Sequence, residues 1–194
     1  MSEKELSPSE SLSLITDIIE KAKIRFKENG HIYIYWGVLT FVASFLQFVL
    51  LLLKQYEYNY YPYVIMPIGF IMHFILFRKK LFYRSPANII GRILTYAGIC
   101  VGINLFIIGF FFYHEFHSAF FPTLLILLSI LVILYGSALK YLPLLAAGLI
   151  INILAYIGFL LPQLYHPLIL SISALIGFVI PGILINLKYR RNRV

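Results

Sequence analysis

Carboxylates are almost missing from this chain. Asp17 is its only aspartate, and beyond residue 30 only Glu57 and Glu115 are acidic. Enzymes that handle metal-bound phosphates need clustered carboxylates, and ion-coupled carriers generally hold an acid or base inside the membrane. Neither arrangement is available here, and there is no GxSxG turn, P-loop or HExxH pair. An enzyme is therefore the least supported class, with no catalytic residue and no cofactor expected. Cysteine is as scarce: Cys100 stands alone in an apolar segment, which excludes a disulfide framework and a CxxC redox or zinc motif. Charged residues of both signs make up only 12% of the chain, too few to clothe a soluble domain of this size.

What fills the chain instead is apolar and aromatic. Hydrophobic residues reach 61%, with 17 Phe and 15 Tyr against one Trp, and the mean hydropathy is +0.88. Six apolar segments, at 32–53, 61–77, 93–113, 119–139, 141–161 and 168–187, contain no Asp, Glu, Lys or Arg except where Lys140 separates the fourth from the fifth. At about 1.5 Å per residue each is long enough to cross a hydrocarbon layer of about 30 Å, the second only with its aromatic lead-in. The expected fold is thus all-α, a polytopic bundle of six transmembrane helices over 31–188, preceded by a cytoplasmic segment at 1–30 and followed by a basic tail at 189–194.

The formal charge of +8 raises the question of nucleic acid. The basic residues, however, form short clusters between apolar runs, which is the pattern of topology and lipid contact. Of the 16 basic residues, all but Lys54 fall before the first span, between the second and third, between the fourth and fifth, or after the sixth. Loops rich in Lys and Arg stay in the cytoplasm, so both termini are expected inside and no nucleic-acid partner is expected. The opening MSEKELSPSE is acidic and polar, unlike a signal peptide, and the first span is expected to direct insertion.

A separate element is expected from about residue 8 to 27. Ser7 is placed to cap, Pro8 suits the first helical position and Glu10 stands where a capping box puts its acid. Leu12, Ile15, Ile19, Ala22 and Phe26 recur at helical spacing as one apolar stripe. Two heptads are too short for a self-sufficient coiled coil, so this helix lies on the membrane, packs under the bundle, or holds a cytoplasmic protein partner.

Several residues stand out inside the spans. Asn104 and Asn152 fall near the middle of theirs, where two amides either bond to each other as helix glue or line a polar site for a transporter or channel. Gln47 reads the same way, nearer the outer surface. Gly98, Gly102 and Gly109 form a row of small residues for close helix packing, within one bundle or between subunits of a homo-oligomer. Pro181 and Gly182 interrupt the last span, should free a carbonyl one turn earlier, and act as a kink or hinge. His114 and His117 in one outward loop and His166 in another are the right ligand types for zinc or copper, although their spacing matches no metal motif.

Three stretches taken together, Ser11-Leu12 through Ala22-Lys23 leading to Tyr35-Trp36-Gly37, Gly136 through Leu139-Lys140-Tyr141 followed by Ala147-Gly148, and Ile180-Pro181-Gly182 with its basic tail, resemble a family of uncharacterised six-helix inner-membrane proteins of Bacteroidota-type bacteria. The resemblance implies a multi-pass protein of a bacterial cytoplasmic membrane and assigns no binding or catalytic residue. Combined with the scarcity of acids, the expected role is a non-enzymatic one, through interaction with membrane lipids or a protein partner at the cytoplasmic face.

Overall fold

A computed structural model describes residues 12–14, 16, 30–81, 89–112 and 116–191. Among them there is no strand, and each of the six apolar segments coincides with a helix. These are α1 (Gly30–Leu52), α2 (Ile65–Leu81), α3 (Ile89–Phe111), α4 (Phe120–Ala138) and α5 (Leu142–Leu160), followed by α6 (His166–Ala174), a π turn at Leu175–Val179 and α7 (Ile180–Arg191). The second begins later than expected because Pro62 sits in a separate 3-10 turn, Tyr61–Val64. Four stretches, Gly30–Leu52, Phe120–Ala138, Leu142–Leu160 and Gln163–Leu187, are long and apolar enough to cross a membrane. These helices are compatible with an integral membrane protein, since a helix satisfies its own backbone where lipid offers no hydrogen bonds.

Small residues decide how the helices meet. A Cβ added to Gly136 would lie 2.7 Å from the Cα of Leu145, and one added to Gly148 would lie 2.8 Å from the nitrogen of Ile133. So α4 and α5, joined by only three residues, touch backbone to backbone. On the other side of the core, α1 runs along α6, the π turn and α7. Gly37 leaves room for Phe178 and Val179, while Gly182 faces the carbonyl of Gly30. Leu125, Val132, Leu144, Ile151, Ala155 and Ile185 fill the centre.

Helices α2 and α3 lie outside this four-element core, on α1 and α4 respectively, and each is held by a tyrosine. The Tyr35 hydroxyl donates to the carbonyl of Gly69 at 2.7 Å, and the Tyr135 hydroxyl donates to the carbonyl of Leu94 at 2.9 Å. A glycine makes room at both contacts: Gly69 packs under Tyr35 and Leu39, and Gly98 under Tyr135. Most other large side chains of α2 and α3, among them Ile71, Ile75, Tyr96 and Ile103, are exposed, as helices facing lipid should be.

Two helix ends are closed by lysines in the left-handed conformation, Lys54 at φ 59° and Lys140 at φ 48°. After α1, the N–H of Lys54 donates to Leu51 at 3.0 Å and that of Gln55 to Leu50 at 2.9 Å. After α4, the N–H of Lys140 donates to Ser137 at 3.0 Å and that of Tyr141 to Gly136 at 2.9 Å. This paired closure usually carries glycine, because a side chain costs about 1 kcal/mol there. A positive charge at the C-terminal end of a helix offsets part of that cost, because the helix dipole is negative there. In the last span, Pro181 has no N–H for the carbonyl of Gly177, and the N–H of Ile180 reaches back to Leu175. The carbonyl release expected from Ile180-Pro181-Gly182 is thus taken up as a π turn, and Gly182 itself is a packing contact with α1.

The glycine contacts give a direct test. Gly148→Val should destabilise the bundle by about 1–3 kcal/mol through overpacking against Ile133. Gly102→Val, which meets nothing within 4 Å, should change stability by less than about 0.5 kcal/mol. Thermal unfolding of the two variants in the same detergent checks the contrast.

Candidate binding cleft at one end of the bundle

The predicted site residues do not assemble at mid-membrane. Asn152 of α5 donates to the Ser129 hydroxyl of α4 at 2.9 Å, and Ser129 in turn donates to the carbonyl of Ile126 at 2.7 Å. Asn104 is exposed and donates to the carbonyl of Cys100, one turn back on its own helix, at 2.8 Å. The expectation that the two asparagines share a contact therefore fails, because α3 packs on α4 rather than on α5. The row of small residues is met by a neighbouring helix at one position within the chain. Gly98 meets Tyr135, Gly102 meets no neighbour, and the surroundings of Gly109 lie outside the described residues.

Of the candidate metal-ligating histidines, only His166 can be placed by its side chain. His114 and the side chain of His117 lie outside the described residues. His166 is 2% exposed and turns inward, its Nε2 lying 3.0 Å from the carbonyl of Gly158 and 3.2 Å from that of Leu161. Both neighbours are acceptors, so Nε2 carries the hydrogen. His166 thus closes the C-terminal end of α5, satisfying carbonyls that the helix leaves unpaired. Its other nitrogen, Nδ1, is buried without a hydrogen-bond partner. No group of three or more His, Cys, Asp or Glu converges among the described residues.

Gln47 is where the polar groups do gather. It is 2% exposed, and its Nε2 donates to Asn59 Oδ1 at 3.2 Å while its Oε1 accepts from the Tyr63 hydroxyl at 3.0 Å. Asn59, itself 6% exposed, donates through Nδ2 to the carbonyl of Tyr56. The loop after α1 is therefore folded back onto the helix by side-chain amides and a phenol. Such burial of amides is tolerated only when they are bonded. The sequence marks Gln47 as a polar residue in a span and shows an aromatic lead-in to the second one. It does not mark Asn59, whose partner lies twelve residues back.

Above this network lies a cleft of about 450 Å³ between the end of α1, the following loop, the start of α4 and the segment before α6. Its polar lining includes Gln47, Lys54, Asn59 and Gln163, Tyr56 and Tyr60 border it, and Leu51, Leu52, Phe121, Leu164 and Pro167 form apolar walls. Lys54 is the only charged residue lining it. The volume lies within the usual range for a small-molecule site, about 300–1,000 Å³.

The chain matches no protein-family profile, no curated protein and no solved structure.

The network at Gln47 should behave as one unit. Gln47→Leu removes the donor to Asn59 Oδ1 and the acceptor of the Tyr63 hydroxyl, and should cost about 1–3 kcal/mol. Combining it with Asn59→Leu should cost less than the sum of the single changes by about 0.5–2 kcal/mol. A double-mutant cycle on unfolding in detergent measures this, and strict additivity would show that the two amides do not act together.

Proposed function

We propose that this chain is a six-span protein of a bacterial cytoplasmic membrane, with both termini inside, that works by binding rather than by catalysis. Its ligands on the inner face would be anionic lipid and a cytoplasmic protein partner held by the N-terminal helix. The likeness to six-helix inner-membrane proteins of Bacteroidota-type bacteria belongs to the same reading.

Pairing at the helix ends supports the topology. Gly30 at the start of α1 lies beside Gly182 and Asn186 of α7. The end of α4, with Tyr135, lies beside the start of α3 at Leu94. The Lys140 end is thereby grouped with Arg92 and with the approach to the basic tail, while Lys54 stands at the opposite end. Segregation of this kind is what the inside preference of Lys and Arg produces.

The observation that carries the interaction reading is in the N-terminal element. Leu12 and Leu14 are helical, yet 70% and 48% exposed. The bundle does not bury them, which leaves the membrane surface or a partner to do so. Of these two only Leu12 belongs to the predicted stripe, whose other members, Ile15, Ile19, Ala22 and Phe26, lie outside the described residues. The separate placement of Asn104 and Asn152 removes the particular mid-membrane pair on which a transport reading leaned.

Two experiments test these parts separately. In a Cys100→Ser background, Lys54→Cys should react with a membrane-impermeant thiol reagent on intact cells, and Lys140→Cys only after permeabilisation. The reverse pattern would invert the topology. For the partner, gentle purification from native membranes should recover a specific protein with the full chain. Recovery should be lost when residues 1–30 are removed or when Ile15 and Ile19 are both changed to Asp. The same companions with and without the segment would sink the interaction reading.

A further inference from the structure

The cleft over Gln47 lies at the end of the bundle opposite the basic loops, and nothing in the proposed cytoplasmic role uses it. We propose that it is a lipid site: it binds an anionic phospholipid, with the phosphate at Lys54 and the ester region over the Gln47–Asn59 floor. The inference rests on the chain spanning the membrane, but not on which side this end faces.

Height comes first. Lys54 follows directly on the last turn of α1, so its ammonium stands where phosphates lie. Gln47 is five residues below Leu52, about 7–8 Å deeper at 1.5 Å per residue. That step matches the drop from the phosphate plane towards the ester groups, given a headgroup region of about 5–8 Å per leaflet.

Charge comes second. Lys54 is the one charged lining residue, and Glu57, the acid nearest in sequence, is not part of the lining. The left-handed turn fixes where the lysine leaves the backbone, and both closing bonds of the turn hold it there. A phosphate meeting this ammonium gains a charge-assisted hydrogen bond at the edge of a low-dielectric medium, where such bonds are strongest.

Chemistry of the floor and walls comes third. Gln47 Nε2 has two hydrogens and gives one to Asn59; Asn59 Nδ2 gives one to the carbonyl of Tyr56. Each amide keeps a second hydrogen that suits an ester carbonyl, an acceptor that carries no charge. Leu51, Leu164, Phe121 and Pro167 then offer apolar surface to the first methylenes of the chains. Leu52, also in the lining, and Leu53 next to it in the chain are exposed, continuing that surface into the lipid.

The test uses the full chain purified in a non-ionic detergent and titrated with short-chain phosphatidylglycerol, phosphatidylcholine or inorganic phosphate, with bound lipid read by native mass spectrometry. Phosphatidylglycerol should bind about tenfold more tightly than phosphatidylcholine. Lys54→Gln, which keeps a side chain of similar length at an exposed turn, should reduce by one the number of tightly held phosphatidylglycerol molecules, and Lys54→Glu should do the same, while those held by the basic loops at the other end remain. Equal binding of the two lipids by the unaltered chain, or a number of tightly held phosphatidylglycerol molecules that Lys54→Gln leaves unchanged, would overturn the site. Displacement of phosphatidylglycerol by millimolar inorganic phosphate would overturn the lipid as occupant in favour of a free anion. Recovery of every variant in the membrane fraction checks the spanning reading on its own.

Discussion

Where Gly136 faces Leu145 and Gly148 faces Ile133, two helix backbones touch with no side chain between them. Lipid tails are as apolar as leucine, so burying more leucine does not bring helices together; close dispersion contact and interhelical hydrogen bonds do. The hairpin of α4 and α5 supplies both. Its close approach puts the Asn152 amide within reach of Ser129. From the same hairpin, Tyr135 reaches out to α3, Pro122 rests on Gly158, and Ile151 packs against Gly177 in the π turn. Widening that one interface by a methyl group would disturb contacts on every side of it.

The ends of the bundle obey a different constraint. A helix leaves its last carbonyls unpaired, and near the membrane interface they must be met by the chain itself or by water. Three devices do this: left-handed lysines close α1 and α4, His166 covers the end of α5, and the Gln47–Asn59–Tyr63 network holds down the loop after α1. Two buried hydroxyls inside the helices follow the same rule locally, whereas Ser173 Oγ is buried without a hydrogen-bond partner. Ser44 donates to the carbonyl of Thr40 at 2.6 Å and Ser171 to that of Leu168 at 2.7 Å. Small polar residues can therefore sit at close contacts without a stranded hydroxyl.

Positions of the helices were legible in the sequence because length and hydropathy encode them independently of neighbours. Which helix lies beside which was not. Asn104 and Asn152 have the same apparent depth, and depth alone made them a pair; the glycines of α4 and α5, which set adjacency, gave no indication of their partners. His166 looked like an outward loop ligand because it falls between the fifth and sixth apolar segments. Its inward turn depends on the C-terminal end of α5, where Leu161 adopts an extended conformation that helical periodicity does not reveal. The cleft was half legible: Gln47 and Lys54 were each singled out, one for polarity and one for its side of the membrane. What joined them was Asn59, in a tyrosine-rich stretch where an asparagine reads as an ordinary turn residue.

Lys54 concentrates several of these constraints in one residue. It is the basic residue that stands apart from the other clusters, and it occupies a backbone conformation that glycine would adopt with less strain. The helix dipole offsets part of that strain, by about 0.3–1 kcal/mol at an exposed end, but the same benefit is available to Lys140 and does not distinguish the two. The surroundings do. Lys54 borders a cleft with bonded amides beneath it and apolar walls beside it; Lys140 stands in a three-residue connection between tightly packed helices. An ammonium at the first position has a place for an anion next to it, which gives its charge a use that helix closure alone does not.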